Sequence, residues 1–330
     1  MTPKIVLSGI QPSGDLHIGN YIGMIQQMVS FQMRDEVMLF AIVDLHAITV
    51  RQDPKLLKQN IRSLTALYLA CGVDPEESKI FIQSENPDHA YLAWVFDCMI
   101  PMGWMERMTQ YKDKSLKQGE RTSIGLFSYP ALMAADILLY DCPYVPVGED
   151  QTQHIELTRD IAHRFNKEYG EVFVIPEIAL RKGAARIMSL VNPEKKMSKS
   201  DLDPKGTINL LDNPDAIGDK IAKAVTDSGS EVAFRPDKPA LSNLLTIYSE
   251  LSGEKIDLLE NRYAGRSYSE FKNDLSEVVI NTLKPIQNRY HKIISESGYL
   301  DTIFDQGRDF SQQHSSKKVA VVRQLIGLGR

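Results

Sequence analysis

The chain is poor in cysteine and has no long hydrophobic run among its 330 residues. Its three cysteines, Cys71, Cys98 and Cys142, are odd in number and far apart, which fits neither a disulfide framework nor a C-x-x-C metal site. No run of about 18 apolar residues is present, so a transmembrane helix is not expected. The first residues also lack the apolar segment of a signal peptide. These absences predict a protein of the reducing cytoplasm with no membrane partner.

An excess of positive charge is also missing, because 38 lysines and arginines stand against 43 aspartates and glutamates, a formal net charge of −5. This balance argues against a protein covered with basic residues for nucleic-acid binding. A local basic patch is still allowed, since salt screens charges beyond about 8 Å. The composition, 43% hydrophobic and 25% charged, is that of a soluble globular protein, and the length is sufficient for two domains.

The stretch at 8–20, S-G-I-Q-P-S-G-D-L-H-I-G-N, connects a predicted strand at 5–7 to a predicted helix. A glycine-containing turn before a helix points backbone N–H groups toward one place, which attracts phosphate. Neither common phosphate loop is present: G-x-G-x-x-G is absent, and Gly9 and Gly14 are followed by Asp15-Leu16 where a P-loop needs Lys-Ser/Thr. By itself the stretch is as compatible with an ordinary tight β-to-α turn as with a nucleotide site.

Strands and helices alternate over the first 83 residues. After the helix that begins near residue 18, a continuous apolar run at 37–43 is typical of a strand buried on both faces. A helix is predicted from Asp53-Pro54 to Gly72, and a third strand at 79–83. This pattern predicts an α/β fold with a Rossmann-like, doubly wound parallel sheet. His46 follows the second strand at the edge where such sheets bind ligands.

Helices dominate the rest of the chain. In a helical insertion at about 84–170, we predict helices at about 87–100, 104–115, 129–140 and 150–167, with a short strand at 144–147. The aromatic and methionine residues of this insertion suggest a dimer contact. Later helices are predicted at about 215–225, 241–252, 256–262, 268–295 and 309–326. We therefore expect a sheet-containing domain over 1–205 and a helical domain over 206–330.

The segment at 196–200, K-M-S-K-S, places two lysines around a serine in a polar loop. Such a pair of charges can stabilise a leaving pyrophosphate. Together with H-I-G-N at 17–20, the loop resembles the paired signatures of class I aminoacyl-tRNA synthetases, H-I-G-H and K-M-S-K-S. Further segments between residues 8 and 228 resemble the bacterial tryptophanyl branch of that family. They are S-G-I-Q-P-S-G, H-A-I-T-V, A-L-Y-L-A-C-G, R-M-T-Q-Y-K-D-K, L-M-A-A-D-I-L-L-Y, V-P-V-G-E-D-Q and A-V-T-D-S.

The resemblance implies a tryptophan–tRNA ligase. Such an enzyme activates L-tryptophan with ATP to tryptophanyl-adenylate and pyrophosphate, and then transfers tryptophan to the 3′-terminal ribose of tRNA(Trp). The resemblance also implies a cytoplasmic homodimer, in which 1–205 is a class I catalytic domain and 206–330 binds the anticodon. ATP is a substrate, and Mg²⁺ is expected to come with it, so no metal-binding residues are predicted in the chain.

The same resemblance implies residues for each ligand. The residues expected to bind ATP are Gln11, Pro12, Ser13, Gly19, Asn20, Gly148, Glu149, Asp150, Ile187, Lys196, Met197, Ser198, Lys199 and Ser200. The residues expected to serve catalysis are His17, Asn20, Lys114, Lys196 and Lys199. The residues expected to bind tryptophan are His46, Tyr129, Met133, Asp136, Val145, Val147 and Gln151, with Asp136 accepting the indole N–H. A carboxylate within A-L-M-A-A-D-I-L-L-Y needs a partner, because an unpaired buried charge is costly.

Two positions depart from the family pattern, and two other functions compete. His17 stands where the tryptophanyl branch often has threonine, and Leu7 where a close relative has phenylalanine near the amino acid pocket. A tyrosyl-tRNA synthetase is the nearest alternative, and Asp136 within L-M-A-A-D argues against it. A non-catalytic RNA- or tryptophan-binding paralogue is the other, and the complete K-M-S-K-S together with Q-P-S-G and H-I-G-N argues against it.

Overall fold

The computed structural model describes residues 4–32, 36–118, 122–148, 151–180, 185–198, 203–296 and 298–330. The side chains of residues 31, 113, 114, 117, 118 and 180 are outside the description as well. Within these ranges, no helix is both long and apolar enough to cross a membrane.

Three parallel strands, β1 (Lys4–Ile10), β2 (Glu36–Ile42) and β3 (Ser78–Ile82), form a sheet in the order β1-β2-β3. A second parallel pair, β4 (Tyr144–Val147) and β5 (Glu177–Leu180), places β4 beside β1. With helices around these strands, the predicted α/β fold is confirmed. Strand β5 was not expected, because its sequence, E-I-A-L, does not alternate between polar and apolar residues.

Most other regular elements of the described chain are α-helices. They are α1 (Ile18–Asn20), α2 (Gln26–Phe31), α3 (Asp44–Ala47), α4 (Pro54–Ala70), α5 (Asp88–Asp97), α6 (Met102–Glu106), α7 (Thr109–Gln118), α8 (Ile124–Leu138), α9 (Thr152–Tyr169), α10 (Pro214–Ala222), α11 (Pro239–Ser252), α12 (Ile256–Arg262), α13 (Tyr268–Ser295) and α14 (Tyr299–Ile326). A π-helical stretch, Tyr21–Ile25, joins α1 to α2. Single 3₁₀ turns lie at Gln83–Glu85 and Pro204–Gly206.

Local signals fix several helix ends as the sequence predicts. The Asp53 carboxylate accepts hydrogen bonds from the backbone N–H groups of Lys55 and Leu56, both at 2.9 Å, and so caps α4. Gly72 follows α4 with a φ of 109°, a left-handed conformation that glycine adopts without strain. At the other end of the chain, α12 and α13 begin and end at their predicted residues.

The helix predicted at about 104–115 is wrong as a single element, because it is divided into α6 and α7. Gln153 of α9 causes the division. Its side-chain oxygen accepts hydrogen bonds from the N–H and the hydroxyl of Thr109, at 2.9 and 3.0 Å, while its Nε2 donates to the Arg107 carbonyl at 3.1 Å. One tertiary side chain thus satisfies backbone groups at the end of α6 and the start of α7.

Two other helices begin earlier than predicted. Helix α8 begins at Ile124, because the Ser123 hydroxyl caps it by accepting the Leu126 N–H at 3.2 Å. Helix α14 begins at Tyr299, directly after Gly298, whose φ is 86°. Both starts depend on single residues outside the hydrophobic period, which is why the period alone places them too late.

Alternate strand residues pack into two layers, one on each face of the sheet. Val6 and Phe40 belong to a hydrophobic cluster that includes residues of α4 and α13, whereas Leu7 and Leu39 belong to another that includes α5, α8 and α9. The first cluster contains residues on both sides of position 205. The two expected domains therefore share a core, and the boundary near 205 stays a prediction.

Helix α14 lies against β3 at Gly307, where a Cβ atom would stand 1.9 Å from the Ile80 carbonyl oxygen. We expect Gly307→Ala to lower the free energy of unfolding by roughly 1–3 kcal/mol, because backbone must move to admit the methyl group. Urea denaturation of the full chain measures this effect as a lower midpoint.

Gly218 in α10 provides the matched control, since a Cβ there would meet nothing within 4 Å. Gly218→Ala is expected to stabilise the chain by about 0.5–1 kcal/mol, because alanine favours a helix more than glycine does. Equal midpoints for the two variants would contradict the close approach of α14 to β3.

Candidate active site

A cavity of about 360 Å³ opens at the carboxyl ends of β1, β2 and β4. Open α/β sheets bind their ligands at this edge. Helix α8 supplies one wall through Tyr129, Met133 and Asp136, whose spacing of four and three residues places them on one helix face. Val145 and Val147 of β4 supply apolar surface beside them. The cavity thus combines an apolar wall with a carboxylate.

Every residue predicted to bind tryptophan lines this cavity. They are His46, Tyr129, Met133, Asp136, Val145, Val147 and Gln151. Of the residues predicted for ATP, Gln11 and Gly148 line it too. Leu7, the departure from the family pattern, is buried in the cavity wall. Further lining residues that the sequence did not suggest are Ser8, Gly9, Met24, Val43, Thr49, Gln110, Ile137 and Pro146. The assigned ligand contacts themselves stay predictions.

The Asp136 carboxylate is 3% exposed and accepts several hydrogen bonds. Gln83 Nε2 and His89 Nδ1 lie 2.7 and 2.6 Å from its Oδ1, and His46 Nε2 lies 2.8 Å from its Oδ2. Burial raises the pKa of the Asp136 carboxyl, but the hydrogen bonds and electrostatic interactions with His46 and His89 lower the pKa more, to about 2. The carboxylate is therefore ionised at neutral pH and able to accept one more donor from the cavity.

Sequence reasoning missed Gln83 and His89, which hold Asp136 from outside the cavity lining. His89 is the second residue of α5, and Gln83 follows β3 directly. Both side chains are fully buried. The available signal was the carboxylate itself, since a buried acid needs donors. A buried acid indicates that hydrogen-bond donors are present, but it does not identify the residues that supply them.

The Tyr129 side chain is held in place by polar contacts of its hydroxyl group. Its hydroxyl lies 2.7 Å from His154 Nε2 and donates to Gln110 Oε1 at 3.4 Å. Burial raises the pKa of Tyr129 to about 12, so the hydroxyl keeps its proton at neutral pH. The ring also meets His46 edge to face, with centroids 6.1 Å apart. These contacts fix Tyr129 in the same cavity wall as Asp136.

The H-I-G-N segment forms the start of α1. His17 Nδ1 accepts the Asn20 N–H at 3.3 Å, and Asn20 Oδ1 accepts the His17 N–H at 3.1 Å, a reciprocal capping box. His17 is 3% exposed. A Cβ on Gly19 would lie 3.0 Å from His17 Nδ1 and 3.5 Å from Ile187 Cβ, so glycine gives this turn its room.

Backbone pairing joins the H-I-G-N region to the chain that follows K-M-S-K-S. Ile18 N–H donates to the Ile208 carbonyl at 3.0 Å, and Leu210 N–H donates to the Leu16 carbonyl at 2.8 Å. The stretch that follows K-M-S-K-S is therefore joined directly to H-I-G-N. Within K-M-S-K-S, Met197 N–H donates to the Ile187 carbonyl at 3.0 Å.

The remaining predicted residues differ in accessibility. Ser13 and Lys196 are exposed, Ser198 is half-buried, and Pro12 and Met197 are buried. Glu149, Asp150, Lys199 and Ser200 lie outside the described residues, as does the side chain of Lys114. Their expected roles stay predictions from the sequence.

Residues 1–284 match the model of a protein family described as tRNA synthetases class I (W and Y). The chain belongs to this family. The synthetase family and the enzyme class predicted from the paired signatures are thereby confirmed.

Individual members of the family resemble the chain over nearly its whole length. A tryptophan–tRNA ligase of Bacillus subtilis is 54% identical over 328 residues, which is 99% of this chain and 98% of the relative. The tryptophanyl-tRNA synthetase structure from Mycoplasma pneumoniae has a TM-score of 0.88 at 35% identity and covers 99% of both chains. The Campylobacter jejuni synthetase, solved with ADP and tryptophan, has a TM-score of 0.86 at 38% identity and covers 98% of this chain and 100% of its own.

Proposed function

We propose that the chain is a tryptophan–tRNA ligase, which forms tryptophanyl-adenylate from L-tryptophan and ATP and then transfers tryptophan to tRNA(Trp). The observation that carries this proposal is an ionised, hydrogen-bonded Asp136 in the wall of a cavity that Met133, Val145 and Val147 also line. The tryptophan–tRNA ligases at 50–54% identity support it, because such similarity extends over the whole chain.

Tryptophan occupies the cavity in this proposal, with its indole N–H donated to Asp136. A carboxylate offers about four acceptor sites. Because Gln83 and His89 already use Oδ1, whereas only His46 uses Oδ2, the indole N–H is assigned to Oδ2. Met133, Val145 and Val147 form the apolar walls for the ring, and Tyr129 and Gln151 bind the ammonium and carboxylate end of the amino acid.

ATP lies beside tryptophan, over the start of α1. In this assignment Gln11, Pro12, Ser13, Gly19, Asn20 and Ile187 contact the nucleotide, and the Gly148-Glu149-Asp150 turn contacts its ribose. A Cβ added at Gly19 would lie 3.5 Å from the Ile187 Cβ, so the absence of a side chain at Gly19 supports an adenine position next to this glycine.

Catalysis in this proposal depends on position and charge. The tryptophan carboxylate attacks the α-phosphorus, and Lys114, Lys196 and Lys199 stabilise the charge that develops on the departing pyrophosphate. His17 and Asn20 shape the turn that holds the phosphates. Mg²⁺ is expected to arrive with ATP. Because no group of three or more described His, Cys, Asp or Glu side chains is arranged to hold a metal, we derive no step through the ion.

We also propose that the protein is a cytoplasmic homodimer whose residues 206–330 bind the anticodon. Support for the dimer comes from Trp94 and Ile48, which are 70% and 58% exposed and line one surface groove. Exposed apolar surface of this kind is typical of an interaction site. Free thiols at Cys71, Cys98 and Cys142 suit a reducing compartment.

ATP–pyrophosphate exchange, measured once with tryptophan and once with tyrosine, tests this function. We expect exchange with tryptophan, little with tyrosine, and charging of tRNA(Trp) by the same preparation. Exchange with tyrosine alone would assign the chain to the tyrosyl branch. No exchange with either amino acid would make it a non-catalytic paralogue.

A further inference from the structure

His89 is buried behind the indole site and bonded at both ring nitrogens. Its Nδ1 lies 2.6 Å from Asp136 Oδ1, and its Nε2 lies 2.7 Å from the Tyr140 hydroxyl. The ring packs against Phe81 and Tyr140, with centroids 5.5 and 5.6 Å away. His89 does not line the cavity. It therefore touches the recognising carboxylate without any path to the substrate itself.

The contacts behind His89 are satisfied when each hydrogen bond points toward Asp136. Asn86 Nδ2 donates to the Tyr140 oxygen at 3.2 Å, which leaves the Tyr140 hydroxyl proton for His89 Nε2. Burial raises the pKa of Tyr140 well above its ordinary value, so that proton is retained. His89 then carries its own proton on Nδ1 and donates it to Asp136.

The hydrogen-bond network behind His89 extends to two serines of α14. Asn86 Nδ2 also lies 3.2 Å from Ser311 Oγ and 3.0 Å from Ser315 Oγ, and both serines are fully buried. Because α14 is seated on β3 at Gly307, these hydroxyls have fixed places. Helix α14 thus completes the hydrogen-bonded surroundings of His89, which contacts Asp136.

We propose that His89 is the positioning residue for indole recognition: its Nδ1–H fixes Asp136 Oδ1, so that Oδ2 is presented to the tryptophan N–H. This inference rests on the proposed function and extends it to a residue outside the cavity. A carboxylate held by His89, Gln83 and His46 has one orientation, whereas loss of His89 frees it to turn toward the remaining donors.

If His89 has this role, replacing it should weaken the binding only of ligands that carry a ring N–H. L-β-(3-benzothienyl)alanine has the shape of tryptophan, but sulfur replaces the N–H group, so it cannot donate to Asp136. Removing His89 should weaken tryptophan binding roughly ten- to a hundredfold, the usual effect of one hydrogen bond to a charged group. Binding of the sulfur analogue should stay unchanged, because the analogue makes no use of the oriented carboxylate.

The test measures dissociation constants of tryptophan and of the sulfur analogue by calorimetry on the full chain. The variants are His89→Leu, which removes both nitrogens, His89→Asn, whose amide N–H takes the place of Nδ1–H, and His89→Gln, whose amide reaches the place of Nε2 instead. We expect His89→Leu and His89→Gln to lose tryptophan affinity and His89→Asn to recover most of it. Tyr140→Phe should show a smaller loss in the same direction.

Equal losses for tryptophan and the sulfur analogue in folded His89→Leu would overturn the proposal, as would equal recovery by His89→Asn and His89→Gln. If His89→Leu does not fold, the contrast between His89→Asn and His89→Gln decides. Failure of the proposed function gives a different result, because the wild-type chain would then bind tryptophan no more tightly than the sulfur analogue.

Discussion

Replacing Asp136 with alanine is expected to remove most of the preference for tryptophan over phenylalanine. A site that hydrogen-bonds a substrate donor rejects the analogue without that donor by roughly 10⁴–10⁵-fold, because the buried site group is left unpaired. In this protein that group is the Asp136 carboxylate, whose pKa is about 2, and its Oδ2 lacks the indole donor when phenylalanine enters. We expect kcat/KM for tryptophan to fall far more than kcat/KM for phenylalanine in Asp136→Ala.

The ratio of the two kcat/KM values is the informative quantity. Both substrates are measured on one preparation, so partial unfolding lowers both values equally and cancels. Asp136→Asn is the matched variant, since its amide oxygen keeps an acceptor but its NH₂ group cannot accept from Gln83, His89 or His46. An unchanged ratio in Asp136→Ala would mean that Asp136 has a structural role and that another group reads the indole.

Replacing Lys199 with alanine is expected to lower kcat for tryptophan activation by roughly 10²–10³-fold, the cost of one electrostatic donor at a developing charge. The KM for ATP should change much less, because the lysine acts on the departing pyrophosphate more than on bound ATP. Lys199 lies outside the described residues, so this expectation rests on the K-M-S-K-S motif. Steady-state ATP–pyrophosphate exchange measures both quantities.

Lys195 provides the control for that experiment. It is exposed and directly precedes the motif, so Lys195→Ala removes the same charge from the same region. We expect Lys195→Ala to keep kcat near the wild-type value. A Lys199→Ala variant with normal kcat and a large rise in KM would show that Lys199 is a binding group only, and equal losses in both variants would indicate a general charge effect.

Local sequence signals determined much of the fold. The Asp53 cap, the Gly72 stop and the apolar run of β2 each depend on neighbouring residues, and the structure has them where the sequence indicates. Helix α13 is similar, because Ser267 and Glu270 form a capping box that fixes its first turn.

Features that depend on distant residues were not predictable. The break between α6 and α7 is made by Gln153 of α9, and the orientation of Asp136 is made by His89 of α5. In each case one side chain meets a partner far away in the sequence, and hydrophobic periodicity contains no information on such a pair. The spacing of Tyr129, Met133 and Asp136 predicts which side of α8 faces the cavity. It does not predict which donors lie behind Asp136.

A crystal structure of the chain with bound tryptophan tests the central claim most directly. The indole nitrogen is predicted to lie about 2.7–3.2 Å from Asp136 Oδ2, the range of an N–H···O hydrogen bond. Oδ1 should keep its contacts with His89 and Gln83 in the same structure. An indole nitrogen that pairs with any other group, or a tryptophan seated outside this cavity, would contradict the assignment of Asp136 as the residue that reads the indole.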